Sequence, residues 1–154
     1  MKMINVENLS IYDENNQLLL DHLSFSLEEG RSLGIVGESG GGKSLTSLSL
    51  MNLVKPGLRR EADVLEVMGH NLLTQSRKER HRFLGTQVGY VPQNTMAYLH
   101  PLYKVKHQIG DGYIFHLKKT KSQMLERATE LLLRVGFEEP ERVLEAFPGE
   151  LSGG

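Results

Sequence analysis

A glycine-rich segment in the first third of the chain carries the strongest chemical signal. It reads Gly37-Glu38-Ser39-Gly40-Gly41-Gly42-Lys43-Ser44 and fits the pattern G-x-x-x-x-G-K-[ST] at every specified position. Glycines have no Cβ, so the backbone can wrap closely around an anion and turn consecutive N–H groups towards phosphate oxygens. In this pattern the lysine reaches the β- and γ-phosphates, and the hydroxyl that follows it binds Mg²⁺. The segment predicts a site for a nucleoside triphosphate with Mg²⁺.

Each residue of this segment has a separate expected task. The backbone N–H groups should donate to phosphate oxygens, and a helix that begins near Lys43 should direct its positive end at the same charge. Ser44 is the predicted metal ligand. A glycine-rich turn without a ligand is the alternative, and the apolar run before the segment favours the phosphate site. The predicted cofactor-binding residues are Gly37, Glu38, Ser39, Gly40, Gly41, Gly42, Lys43, Ser44 and Leu45.

The elements around the loop can be predicted from periodicity and turn residues. Two alternating stretches, at 4–12 and 18–27, predict a small antiparallel β layer before the loop. The apolar run 32–36 predicts a short strand that is buried on both faces, as parallel strands are. From Lys43 onwards, the apolar spacing predicts a helix that Pro56-Gly57 ends.

Further elements follow the predicted helix. Residues 63–68 and 87–91 predict strands, the second of which ends at Pro92-Gln93. Ser76-x-x-Glu79 and Thr120-x-x-Gln123 are typical of capping boxes that begin helices. The second of these helices should end at Gly136, and a short helix should follow at 141–146. The predicted core stripe of the helix that begins near Thr120 consists of Met124, Leu125, Ala128, Leu131, Leu132 and Val135.

The composition excludes several classes of protein. With 154 residues, 18 basic and 19 acidic side chains, and a net charge of −1, the chain has the length of one domain and no basic character that favours nucleic acid. The absence of cysteine excludes disulfides and thiolate metal sites. No apolar run approaches the roughly 20 residues that span a bilayer, and the first residues lack a signal peptide. We expect a cytoplasmic protein whose metal is the Mg²⁺ of the nucleotide.

Three motifs in one order resemble those of the ATP-binding cassette (ABC) ATPases: the glycine-rich loop, Gln93, and Leu151-Ser152-Gly153-Gly154. The resemblance covers the whole chain. It implies an α/β P-loop NTPase fold with an N-terminal antiparallel β layer, an incomplete RecA-like core and a helical subdomain. Residues 1–93 would form the β layer and the nucleotide-loop core, and residues 94–154 the helical subdomain, which ends at the signature motif.

The resemblance also implies roles for residues outside the loop. Tyr12 would stack on adenine, and the Gln93 amide would reach Mg²⁺ and the attacking water. Ser152, Gly153 and Gly154 would bind the γ-phosphate held by a second ABC ATPase subunit. Each residue has a plainer interpretation: Tyr12 as an ordinary strand aromatic, Gln93 as a polar strand end, and 151–154 as a frayed terminus.

Finer motifs resemble the peptide and nickel importers within this family. They are Gly37-Glu38-Ser39-Gly40, the stretch 93–101, and Phe147-Pro148, whereas Gly42-Lys43-Ser44-Leu45-Thr46 is similar to nickel-type subunits. The branch implies transmembrane permease subunits as partners and no nucleic acid. It also implies a location on the inner face of the cell membrane. The choice between nickel and peptide stays open.

Three groups that the family uses for hydrolysis follow its signature motif. They are an acidic residue that holds Mg²⁺ through water, a glutamate that polarises the attacking water, and a histidine near the γ-phosphate. The sequence stops at Gly154, before any of them. We therefore expect ATP binding without turnover, and we interpret the chain as a truncated copy of an importer ATPase. A non-catalytic nucleotide-binding module and a soluble ABC ATPase of DNA repair or translation are the alternatives.

Overall fold

The computed structural model describes residues 2–151. Its contacts divide the chain into two compact units, with the boundary between His81 and Arg82. The first unit contains the predicted β layer and the glycine-rich loop. The second unit is helical. The functional division predicted after Gln93 stays a prediction.

The first unit is built on an antiparallel sheet, as the sequence predicts. Its strands are β1 (Lys2–Tyr12), β2 (Leu18–Glu28), β3 (Arg59–Glu61), β4 (Val64–Val67) and β5 (His70–Asn71). β1 pairs with β2 along one edge and with both β4 and β3 along the other, while β5 pairs with β4. The buried residues Val6, Leu9 and Ile11 make β1 the centre of this core.

A tight turn joins the first two strands. The Asp13 carboxylate accepts hydrogen bonds from the backbone N–H groups of Asn15 and Gln17, both at 2.8 Å. Aspartate favours such turns because its short side chain can bond to backbone N–H groups a few residues ahead. The turn therefore fixes the end of β1, where Tyr12 lies.

Helix α1 (Lys43–Leu50) begins where the loop pattern predicts but ends earlier than expected. Asn52 adopts a left-handed conformation with φ 55°. The N–H groups of Asn52 and Leu53 donate to the carbonyl oxygens of Ser49 and Leu48, at 3.0 and 2.8 Å. This is a Schellman motif with asparagine in the position that glycine usually takes. The helix therefore ends before Pro56-Gly57, and the predicted boundary was wrong.

The strands predicted at 32–36 and 87–91 are absent from the described part of the chain. The segment 32–36 is exposed throughout and 87–91 is mostly exposed, with Val36 at 93% and Val91 at 86% of their maximal exposure. A β-prone sequence forms a strand only when a neighbouring strand accepts its hydrogen bonds. The sheet described above pairs with neither segment, so the prediction of buried strands was wrong for this structure.

The helical elements begin with α2 (Arg77–Thr86), which crosses the boundary between the units, and continue with α3 (Val105–Leu117), α4 (Lys121–Arg134) and α5 (Pro140–Glu145). Both predicted capping boxes are confirmed. Ser76 and Glu79 exchange hydrogen bonds of 2.8 and 3.3 Å before α2, and Thr120 and Gln123 exchange bonds of 3.1 and 3.3 Å before α4.

Gly136 ends α4 as predicted, since its φ of 96° closes a second Schellman motif. The buried stripe of this helix is narrower than the sequence predicts: Leu131 and Val135 are exposed, and Leu125 is only partly buried. The core of the second unit consists of Val105, Met124, Ala128, Leu132, Val143 and Leu144. Among residues 2–151, no helix is long and apolar enough to cross a membrane.

Candidate nucleotide site

The glycine-rich loop depends on left-handed backbone at two positions. Gly40 and Gly42 have φ angles of 84° and 81°, a region that costs residues with a Cβ roughly 1–2 kcal/mol. Gly42 is also buried: a Cβ there would lie 2.8 Å from Cδ1 of Leu20 on β2. The left-handed backbone therefore favours glycine at this position, and a Cβ would also displace the end of the Leu20 side chain.

The N-terminus of α1 offers hydrogen-bond donors that the helix itself does not use. The first intrahelical bond runs from the Thr46 N–H to the Gly42 carbonyl at 2.9 Å, so the N–H groups of Lys43, Ser44 and Leu45 have no helical acceptor. No side chain caps this end, and its first turn contains no acidic residue. Free donors at the positive end of the helix form a site for an anion.

The Lys43 side chain folds back over the loop that precedes it. Its ammonium group donates to the carbonyl oxygens of Gly37 and Glu38, at 2.8 and 2.6 Å. The loop therefore holds a positive charge beside the free N–H groups. Ser44, the predicted metal ligand, is an exposed residue of the first helical turn.

Two buried hydroxyl groups of α1 form hydrogen bonds within the helix. The Thr46 hydroxyl donates to the Gly42 carbonyl at 3.0 Å, and the Ser49 hydroxyl donates to the Leu45 carbonyl at 2.8 Å. Both side chains are almost fully buried, at 1% and 0% exposure. These bonds give both buried hydroxyl groups an acceptor inside the helix.

Arg60 on β3 holds the other end of the helix, a role that the sequence did not indicate. Its guanidinium donates to the Ser49 carbonyl at 3.2 Å and to Asn52 Oδ1 and the Leu72 carbonyl, both at 3.1 Å. Burial lowers the pKa of this guanidinium below its usual value. A cation is favourable here because the C-terminal end of a helix dipole is negative.

Tyr12 is the last residue of β1, and the strand register places it close to the loop. Ile11, the residue before it, is opposite Leu20, and Leu20 is the residue that Gly42 packs against. Tyr12 itself lies between Leu18 on β2 and Arg59 on β3. The structure therefore brings the predicted base-stacking residue and the loop to the same end of the β1–β2 pair.

The remaining predicted site residues come later in the sequence than the loop. Gln93 is exposed in a bend before a 3-10 turn (Thr95–Tyr98) of the second unit. Ser152, Gly153 and Gly154 lie outside the described residues. Within residues 2–151, no group of three or more histidine, aspartate and glutamate side chains is placed to hold a metal ion.

Comparison with known proteins gives close relatives. The dipeptide transport ATP-binding protein DppD of Escherichia coli (strain K12) is 39% identical over 157 residues, which cover 100% of this chain and 48% of that protein. The oligopeptide transport ATP-binding protein OppD of Bacillus subtilis (strain 168) is 40% identical over 134 residues, which cover 86% of this chain and 37% of that protein. The chain spans about half the length of the first of these relatives, and less of the second.

A solved structure shows the same fold. The ATP-binding cassette MJ0796, in a dimeric post-hydrolysis state bound to ADP and Pi, superposes with a TM-score of 0.82 and 24% identity over 98% of this chain and 64% of that one. This likeness confirms the predicted P-loop fold class. The family model described as ABC transporter matches residues 20–154, which include the whole glycine-rich loop. By this match and by its relatives, the chain belongs to the ABC transporter family.

Proposed function

We propose that this chain binds ATP with Mg²⁺ as the ATP-binding part of a peptide importer. The observation that carries the proposal is the anion site at the start of α1, where three free N–H groups lie beside the Lys43 ammonium. The uncapped helix end is not explained by the fold alone, because a helix end normally has a cap. A bound triphosphate would explain both the uncapped end and a cation held on the loop before it.

The described residues have complementary roles towards this ligand. The N–H groups of Lys43, Ser44 and Leu45 donate to phosphate oxygens, and the Lys43 ammonium exchanges its two carbonyl acceptors for the β- and γ-phosphates. The Ser44 hydroxyl is the oxygen ligand that the loop offers to Mg²⁺. Tyr12 provides a flat apolar surface for the base at the adjacent strand end.

Residues distant from the loop complete the site through a second subunit. The relative of known structure is a dimer bound to ADP and Pi, which supports a two-subunit site for this chain as well. In this proposal Ser152, Gly153 and Gly154 contact the partner's γ-phosphate, and Gln93 reaches the Mg²⁺ and the attacking water. These roles rest on the family motifs.

The relatives favour peptide over nickel as the transported solute. Two of them are named as dipeptide and oligopeptide transport proteins. A further relative is the glutathione import ATP-binding protein GsiA of Shigella dysenteriae serotype 1 (strain Sd197). It is 34% identical over 163 residues, which cover 97% of this chain and 25% of that protein. The proposed partners are therefore a second ATP-binding subunit and the permease subunits of a peptide importer. The chain would act at the inner face of the cell membrane.

The groups that the structure places at the loop are binding groups. Backbone N–H groups and an ammonium donate hydrogen bonds to phosphate, but they do not take a proton from an attacking water. We expect residues 1–154 on their own to bind ATP and to release no phosphate. Measurement of phosphate release from ATP by the purified chain tests this expectation, and turnover that depends on Lys43 would contradict it.

The binding proposal is tested by calorimetric titration with Mg·ATP. Lys43→Ala removes a charged donor whose hydrogen bonds are worth about 1.5–3 kcal/mol, so affinity should fall roughly 10- to 150-fold. Lys121→Ala is the matched control, because it removes the same charge from an exposed position at the start of α4. Equal affinities of the two variants would refute the proposed role of the loop.

A further inference from the structure

Arg59 covers one face of the Tyr12 ring. Its guanidinium carbon lies 4.4 Å from the ring centroid, within the range of a cation–π contact. The strand register creates this contact, because Tyr12 on β1 is directly opposite Arg59 on β3. Residues that are directly opposite in an antiparallel pair project from the same face of the sheet.

Two further contacts hold the guanidinium in place. Arg59 Nη1 pairs with the Glu61 carboxylate on the same strand. Arg59 Nη2 donates to Asn16 Oδ1 at 3.2 Å, and Asn16 belongs to the turn that joins β1 to β2. Contacts with the ring, the strand and the turn restrict both the arginine and the face of Tyr12 that it covers.

We infer that Arg59 is a positioning residue for the nucleobase, which it orients through Tyr12. With one ring face covered by the guanidinium, the opposite face is the one that stacks on the base. A ring that is already held loses less conformational freedom when the base binds, so the contact strengthens stacking without touching the phosphates. This inference rests on the proposed stacking role of Tyr12.

The test compares a ligand that has a base with a ligand that has only phosphates. Mg·ATP reports on both the base and the phosphates, whereas inorganic tripolyphosphate reports on the loop alone. An exposed cation–π contact is worth about 0.5–1 kcal/mol, so Arg59→Ala should weaken ATP binding roughly two- to fivefold and leave tripolyphosphate affinity unchanged. Arg59→Lys keeps a cation over the ring and should recover part of the loss. Arg77→Ala, which removes the same charge from an exposed residue of α2, is the matched control.

A double-mutant cycle separates positioning from a general effect of charge. In a Tyr12→Ala background, Arg59→Ala should cause no further loss of ATP affinity, because the arginine acts only through the ring. The inference would be overturned if Arg59→Ala lowered the affinities for ATP and tripolyphosphate equally. It would also be overturned if Arg59→Ala lowered ATP affinity as much in the Tyr12→Ala background as in the wild type.

The same measurements keep the inference distinct from the proposed function. If Tyr12→Ala leaves ATP affinity unchanged, the stacking role fails and the inference fails with it. If Tyr12→Ala weakens ATP binding and Arg59→Ala does not, only the inference fails. Thermal unfolding of each variant by circular dichroism shows whether a change in affinity reflects loss of fold, and Arg59→Lys then provides the comparison in a folded chain.

Discussion

Two glycines of α3 provide a matched pair for the packing of the second unit. A Cβ at Gly110 would lie 2.2 Å from Sδ and 2.6 Å from Cγ of Met124 on α4. A Cβ at Gly112 would meet no atom within 4 Å. Met124 is itself buried, at 3% exposure, so its side chain has little space into which it can move. The structure therefore predicts opposite outcomes for alanine at two positions of one helix.

The magnitudes follow from two competing terms. Alanine is favoured over glycine in a helix interior by about 1 kcal/mol, and this gain applies to both variants. Overpacking of a buried contact costs about 1–3 kcal/mol, and this cost applies to Gly110→Ala alone. Gly112→Ala should therefore raise the free energy of unfolding by up to about 1 kcal/mol. The free energy of unfolding of Gly110→Ala should be about 1–3 kcal/mol lower than that of Gly112→Ala, because the helix-propensity gain is the same in both variants.

The assay is urea-induced unfolding followed by far-UV circular dichroism. Hydrogen exchange of the α3 amides then shows that the change arises in the second unit. A Gly110→Ala variant as stable as Gly112→Ala would refute the close contact between α3 and α4. Equal destabilisation by both would also contradict the reasoning, since only one of these positions is crowded.

Three further predictions concern the loop, its support and the second unit. Gly42→Ala should lower ATP affinity roughly 5- to 30-fold, because the left-handed backbone at this position costs a residue with a Cβ about 1–2 kcal/mol. Titration with Mg·ATP checks this, and wild-type affinity would contradict it. Arg60→Ala should destabilise the first unit by about 1–3 kcal/mol, because it removes the guanidinium that donates to the Ser49 and Leu72 carbonyl oxygens. Urea unfolding measures this, and an unchanged midpoint of the transition would contradict it. Hydrogen bonds from Lys104 and then Lys106 lower the pKa of Glu145 from 4.5 to about 2. This contribution to stability is complete above pH 4.5 and is lost as pH falls towards about 2. Between these two pH values, the melting temperature of Glu145→Gln should therefore fall less than that of the wild type.

Features that depend on a few neighbouring residues could be predicted from the sequence. The loop, the start of α1, both capping boxes and the end of α4 at Gly136 all follow from side chains within a few positions of each other. The two long strands of the β layer could be predicted for a similar reason, because alternation and the turn at Asp13 are local signals.

Features that depend on distant partners could not be predicted. The segments 32–36 and 87–91 have strand-like composition, but a strand also needs a neighbour, and composition does not supply one. The early end of α1 is a local feature that the sequence did not indicate, because Asn52 takes the left-handed position that glycine usually takes at a helix end. Arg59 and Arg60 become informative only when the register of β3 against β1 is known.

The central claim is that the free N–H groups at the start of α1 bind the phosphates of ATP. The most direct measurement is an NMR titration of the ¹⁵N-labelled chain with Mg·ATP, in which each backbone amide reports its own environment. We expect the largest shifts at Lys43, Ser44 and Leu45, with smaller shifts near Tyr12, and we expect tripolyphosphate to reproduce only the first group. Unshifted amides at these three residues in the presence of saturating Mg·ATP would contradict the account.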